Sequence, residues 1–164
     1  MSFEELYDKF FRRVYNYIRY RVLARDAADD LVSAVFEKVL DKFAGFDQTQ
    51  PVEPWLFAIA RNTLNDYYRR RAVRGSLSTD GFEEALASDE SVERAAERGE
   101  ENAALLAALA GLSENERELI ALRYALDQST REMAAQTGLS ESNVGVTLFR
   151  AIKKLRDRLG PEGT

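Results

Sequence analysis

From residue 3 to about residue 71, apolar side chains return every three or four positions and nowhere alternate long enough to suggest a strand. Phe3, Leu6, Phe10, Val14, Tyr17 and Ile18 form one stripe, continued by Arg21, that predicts an amphipathic helix over Phe3 to Leu23. Asp26 is placed to cap a second helix, with Asp29 and Asp30 in its first turn, where the helix dipole favours acids. The apolar positions of that helix are Leu31, Val32, Val35, Phe36, Val39, Leu40 and Phe43, a band wide enough for a core face and part of a partner face. A polar loop from Gly45 to Pro51 presents Phe46, and Pro54 fits the first position of a third helix, PWLFAIARNTLNDYYRRR. Trp55, Leu56, Ile59, Ala60 and Leu64 line its apolar face, and its end is basic, with Arg69, Arg70, Arg71 and Arg74.

The periodicity then fades. From Gly75 to about Gly99 the chain is rich in Ser, Gly and acids, and it reads as a linker. Helices resume near Glu101–Ala110, Ser113–Ala125, Ser129–Thr137 and Ser140–Leu159, with Pro161 ending the last. Ser113 with Glu116, and Ser129 with Glu132, have capping-box spacing. Gly138 suits a left-handed helix end. Ser140 opens a new helix that Leu139 and Val144 can staple. A short capped helix, a tight glycine turn and a longer helix form the pattern of a DNA-reading helix-turn-helix.

On a helical wheel, Val144, Leu148, Ala151, Leu155 and Leu159 share one side of the last helix. Ser142, Val146, Phe149, Arg150 and Lys153 share the other, with Asn143 and Arg156 at its margins. Arg150 has the chemistry to read a guanine edge or hold a phosphate, and Lys153 and Arg156 to hold phosphates. Val146 and Phe149 are out of place on a solvated face but suit contacts to thymine methyl groups. A solvated basic face is the plain alternative for such a helix taken alone. The capped helix and glycine turn before it favour DNA.

The formal charge of −5 looks wrong for such a partner until it is located. Residues 1–74 hold 13 Lys/Arg against 11 Asp/Glu, residues 75–101 hold two against nine, and residues 102–164 hold eight of each. The acidity belongs to the linker, and local patches decide binding. The absence of Cys and His removes disulfides, thiolate and imidazole metal sites and histidine bases, so neither a cofactor nor an enzyme activity is expected. No apolar run approaches the ~18 residues of a membrane span. The acidic start, MSFEELYDKFFRR, is unlike a signal peptide. A cytoplasmic location is the expectation.

Four segments, DAADDLVSAVFEKVLDKF (26–43), PWLFAIARNTLNDYYRRR (54–71), LSENERELIALRY (112–124) and STREMAAQTGLSESNVGVTLFRAIKKLR (129–156), together resemble a bacterial RNA polymerase sigma factor of the extracytoplasmic-function (ECF) type. They fall in the family's order and spacing and cover nearly the whole chain. The resemblance implies an all-α chain of two small helical domains: sigma region 2 at 1–74 and a region 4 helix-turn-helix at 101–160, joined by a flexible acidic linker at 75–100. It makes Asp29, Asp30, Val32, Phe36, Glu37 and Leu40 candidates for binding core RNA polymerase, with Leu31, Val35 and Val39 as plain core. For the melted −10 element it implies Lys42, Phe46 and Asn62, with Arg61, Arg69, Arg70 and Arg71 on the adjacent duplex; exposed aromatics and amides suit flipped bases. Trp55 matches a family core position. The −35 element falls to Ser142, Asn143, Val146, Phe149, Arg150, Lys153 and Arg156. Gly145 and Thr147 depart from the family's commonly basic positions there. The linker would stand in for RNA in the polymerase's exit path, and an anti-sigma factor is the further partner implied. A free-standing helix-turn-helix regulator and a protein-binding helical adaptor are the rival readings. The first leaves the first block and the acidic linker unexplained, and the second predicts no effect on DNA.

Overall fold

The computed structural model describes residues 1–75 and 103–160. Among them every regular element is helical: α1 (Phe3–Arg21), α2 (Arg25–Phe43), α3 (Val52–Gly75), α4 (Ala103–Ala110), α5 (Glu114–Ile120) running on as a π turn (Ala121–Ala125), α6 (Thr130–Thr137) and α7 (Glu141–Leu159). The expected linker from residue 76, the first residues of the helix expected at 101, and the expected stop at Pro161 lie outside the described residues.

Ser2 caps α1 by accepting the Glu5 N–H at 3.1 Å. The helix ends at Arg21, two residues before the expected Leu23, because the backbone turns extended at Val22. Buried Arg19 closes that end by donating to the carbonyls of Val22 and Leu23. Asp26 is not the cap of α2. The turn begins earlier, with Ala24 as an N-cap that makes no side-chain bond and Asp26 inside the first turn. Pro54 likewise falls third in α3 rather than first. That position is still within the first turn, where a missing N–H leaves no bond unmade.

The helix expected over Ser113–Ala125 starts as predicted. Ser113 Oγ accepts the Glu116 N–H at 3.2 Å, and Glu116 Oε1 accepts the Ser113 N–H at 2.9 Å. It does not stay α-helical to its end. The Leu126 N–H reaches back five residues to the Ala121 carbonyl at 3.3 Å, and Asp127 then takes φ +55° to reverse the chain. Widening the last turn lets Ala121, Leu122 and Ala125 all be buried.

In the first block α1 packs on α2 and α3. In the second, α7 packs on α4, α5 and α6. The two blocks are not separate, because α1 also packs against α5 and the π turn. Leu6, Phe10, Val14 and Ile18 supply the buried stripe of α1, and Leu31, Val35 and Val39 are core, as expected.

Candidate nucleic-acid interface

The helix-turn-helix forms as its sequence predicts. Ser129 and Glu132 close a reciprocal capping box, with both bonds at 3.1 Å. Gly138 adopts φ +78° at the end of α6, a conformation open to glycine at little cost. Ser140 Oγ then accepts the Asn143 N–H at 3.0 Å and starts α7. Val144, Leu148, Ala151 and Leu155 are buried, which turns Ser142, Asn143, Val146, Phe149, Arg150, Lys153 and Arg156 outward, all exposed. Phe149 is 70% exposed and Val146 46%. Phe149 and Val146, three residues apart, thus leave an apolar patch on the side of α7 that faces away from the core. Thr147 Oγ1 lies 3.1 Å from Asn143 Oδ1 and donates to it, which fixes the Asn143 carboxamide.

The second candidate surface lies at the end of α2, the loop after it and α3. Lys42 and Asn62 are exposed. Phe46 is not the free aromatic that the loop suggests. It stacks on Trp55 with ring centroids 4.5 Å apart and is half-buried, while Trp55 also meets Phe43. Trp55 therefore packs, as its family position implies, and offers Phe46 a backing. The loop is held by Asp47, which accepts from both Oγ1 and N–H of Thr49 at 2.7 and 3.0 Å. Those two bonds keep its carboxyl below the usual range. Along α3, Arg69 pairs with Asp66, Arg70 is exposed, and Arg71 donates to Tyr67 Oη at 2.8 Å while lying over its ring. Asn62, Asn65, Asp66 and Arg69 line a shallow polar depression of ≈ 590 Å³. Lys38, which donates to Thr63 Oγ1 at 3.1 Å, joins Arg70 and Arg71 along a neighbouring groove between α2 and α3. Lys38 and Asn65 escaped the sequence reading, although Lys38 stands one helical turn before Lys42.

The third surface is an aromatic groove between α1 and α2, lined by Phe3, Tyr7, Phe11, Val32, Phe36, Glu37 and Leu40. Phe36 packs edge-on against Tyr7 and stacked on Phe11. Val32 and Phe36 are buried in the floor, whereas Leu40 is 55% exposed. Asp29, Asp30 and Glu37 stand exposed on the same helix. The groove thus combines an open leucine with the carboxylate of Glu37, and Asp29 and Asp30 lie further along the same helix.

Arg61, a candidate for the duplex backbone, meets an acid of the second block in this structure. Its Nε and Nη2 donate to Glu118 Oε1 of α5 at 3.2 and 3.0 Å. The other carboxylate oxygen faces Arg21 Nη2 at 3.7 Å. Arg21 is 4% exposed. It donates to Tyr17 Oη at 3.1 Å and lies over the Tyr17 and Tyr68 rings. Burial alone would depress Arg21, but the oxygens of Tyr17, Glu118 and Tyr68 outweigh it and hold the group above its ordinary value. Burial pushes Tyr17 upward, against the pull of Arg21. Nearby, Arg13 donates to the Leu126 carbonyl at 3.1 Å, a second polar tie between the blocks. Glu118 was missed because its partners lie 57 and 97 residues away. The one signal was Arg21, a cation on an apolar stripe.

Known proteins resemble the chain in both blocks. Residues 6–74 match the Sigma-70 region 2 family and residues 102–155 the Sigma-70, region 4 family. The ECF RNA polymerase sigma factor ShbA of Streptomyces griseus is 36% identical over 81% of this chain and 72% of its own. BldN of Streptomyces coelicolor, also an ECF RNA polymerase sigma factor, is 32% identical over 98% of this chain, which spans only 61% of its length. SigM of Bacillus subtilis is 27% identical over 95% of this chain and 94% of its own. Among solved structures, CnrH in complex with the cytosolic domain of CnrY aligns at TM-score 0.59 and 26% identity, covering 96% of this chain and 86% of CnrH. The sigma factor RpoE in complex with the anti-sigma factor NepR from Bartonella quintana aligns at 0.68 and 22% identity, covering 98% of each, and shares the fold.

Proposed function

The chain belongs to the ECF group of RNA polymerase sigma factors, and on that premise we propose that it binds core RNA polymerase, reads a −35 element with α7 and captures a melted −10 strand at the α2–α3 loop. The observation that carries this reading is the open face of α7, where Phe149 is 70% exposed beside Val146 and Arg150. Such a face supplies apolar contact to thymine methyl groups and a guanidinium for a guanine edge or a phosphate. Arg69 and Arg70 would hold duplex backbone, and Phe46, backed by Trp55, would support an unstacked base. The aromatic groove between α1 and α2, with exposed Leu40, Asp29, Asp30 and Glu37, is the surface for core polymerase. The chemistry of RNA synthesis then belongs to the polymerase, and this chain is a specificity subunit rather than an enzyme, acting in the cytoplasm. No helix among the described residues is long and apolar enough to cross a membrane. The structural relatives were solved with protein partners, one of them a named anti-sigma factor. An anti-sigma factor covering the polymerase-binding faces is the matching expectation here. Run-off transcription by purified core polymerase on a promoter library, with and without this chain, tests the proposal. Transcripts that require the chain support it; direct DNA binding without dependent transcripts would overturn it.

A further inference from the structure

We propose that Glu118 is a latch that docks the second block on the first in the free chain and withholds Arg61 from DNA. Both of its carboxylate oxygens face cations of the first block. Oε1 accepts from Arg61 Nε and Nη2 at 3.2 and 3.0 Å, and Oε2 faces Arg21 at 3.7 Å. Arg13 adds a bond to the Leu126 carbonyl at the end of the π turn. The side chains of Arg61 and Glu118 are only 23% and 15% exposed, so the pair is geometrically selective. A guanidinium committed to a carboxylate in this way has fewer donors left for a phosphate. Arg61 directly precedes exposed Asn62 on α3, and docking therefore places a block-two acid at the edge of the candidate −10 surface.

The chemistry suits a reversible contact. A partly buried ion pair is oriented strongly but stabilises little net, since separation returns both charges to water. Arg21 is already incompletely satisfied in the docked form, with its Nε lacking a hydrogen-bond partner. Promoter phosphates and the Glu118 carboxylate then compete for the same guanidinium. DNA engagement at α3 and docking of the second block oppose each other, and by linkage whatever favours one disfavours the other. The role of Arg61 at DNA rests on the function proposed above; the docking does not.

The chain has no cysteine of its own, so Asp8→Cys on α1 and Ala135→Cys on α6, both exposed positions, accept a dye pair for energy transfer between the blocks. The probe for DNA is a pool of fork-junction oligonucleotides randomised in the single-stranded segment. Glu118→Gln is expected to lower transfer and to raise affinity for the pool about fivefold or more. Arg61→Gln, which leaves α5 and its carboxylate intact, is expected to lower transfer as well but to weaken DNA binding. Transfer unchanged in both variants would overturn the latch. Separation without a gain in affinity for Glu118→Gln, or an equal gain in both variants, would overturn the withholding of Arg61. If no chain binds the DNA, the withholding of Arg61 falls and the distance change alone decides the docking; the promoter reading, which requires polymerase, is decided by run-off transcription.

Discussion

Two acids two residues apart, Glu116 and Glu118, show how position decides what a carboxylate does. Glu116 faces its own helix start and Lys154, which it meets at 3.0 Å, while Glu118 faces the other block. Burial would raise the Glu116 carboxyl, but the Ser113 N–H and the Lys154 ammonium outweigh it and hold it below the ordinary value. Glu116→Ala should cost about 1–2 kcal/mol at neutral pH, read from denaturant midpoints. Because the folded pKa is the lower one, that stability is fully present above the unfolded value of about 4 and is lost as pH falls through the folded value. The gap between variant and parent should accordingly shrink in acid. Both capping boxes were legible because a box is a local spacing. The role of Glu118 was not, since an ion pair across 57 or 97 residues leaves no local pattern. Phe46 lies between these cases: its aromaticity was plain, but its stacking on Trp55 depends on how the loop closes.

At the scale of the element, α7 separates stability from recognition at adjacent positions. Leu148→Ala, on the 8% exposed side, should destabilise the chain by roughly 2–4 kcal/mol. Phe149→Ala, at 70% exposure, should change stability by about 0.5 kcal/mol or less yet weaken use of the −35 element. Thermal unfolding and promoter binding, measured on the same two variants, check both halves. Gly138→Ala, forced to φ +78°, should lose about 1 kcal/mol through backbone strain alone, since nothing lies within 4 Å of an added Cβ. Helix identity was readable along the described chain because the stripes are strong. Boundaries shifted where the cause was not a pattern of apolar positions. Arg19 closes α1 early, Ala24 displaces Asp26 as cap, and the π turn widens so that Ala121, Leu122 and Ala125 can pack into the core that α1 shares.

At the scale of the molecule, the overall acidity conceals two surfaces with cationic side chains, and the blocks that carry them are docked through α1. Docking leaves the α7 face open and engages Arg61, so the described arrangement exposes one candidate DNA surface while one arginine of the other is held. The aromatic groove between α1 and α2 stays accessible through Leu40. Leu40→Asp should leave the melting temperature within a few degrees, as expected of an exposed site, while weakening core polymerase binding at least tenfold, the loss expected where an anchor is worth more than 1.4 kcal/mol. Phe36→Ala is a poorer probe, because Phe36 is buried and its loss would disturb the fold as well. In the proposed function one chain reads two promoter elements, and only together with polymerase. Footprinting on a promoter selected by run-off transcription is the decisive measurement. Two separate protected segments are expected, with permanganate-reactive thymines in the downstream one, only when this chain and core polymerase are both present. A single protected segment formed by the chain alone, unchanged by polymerase, would contradict it.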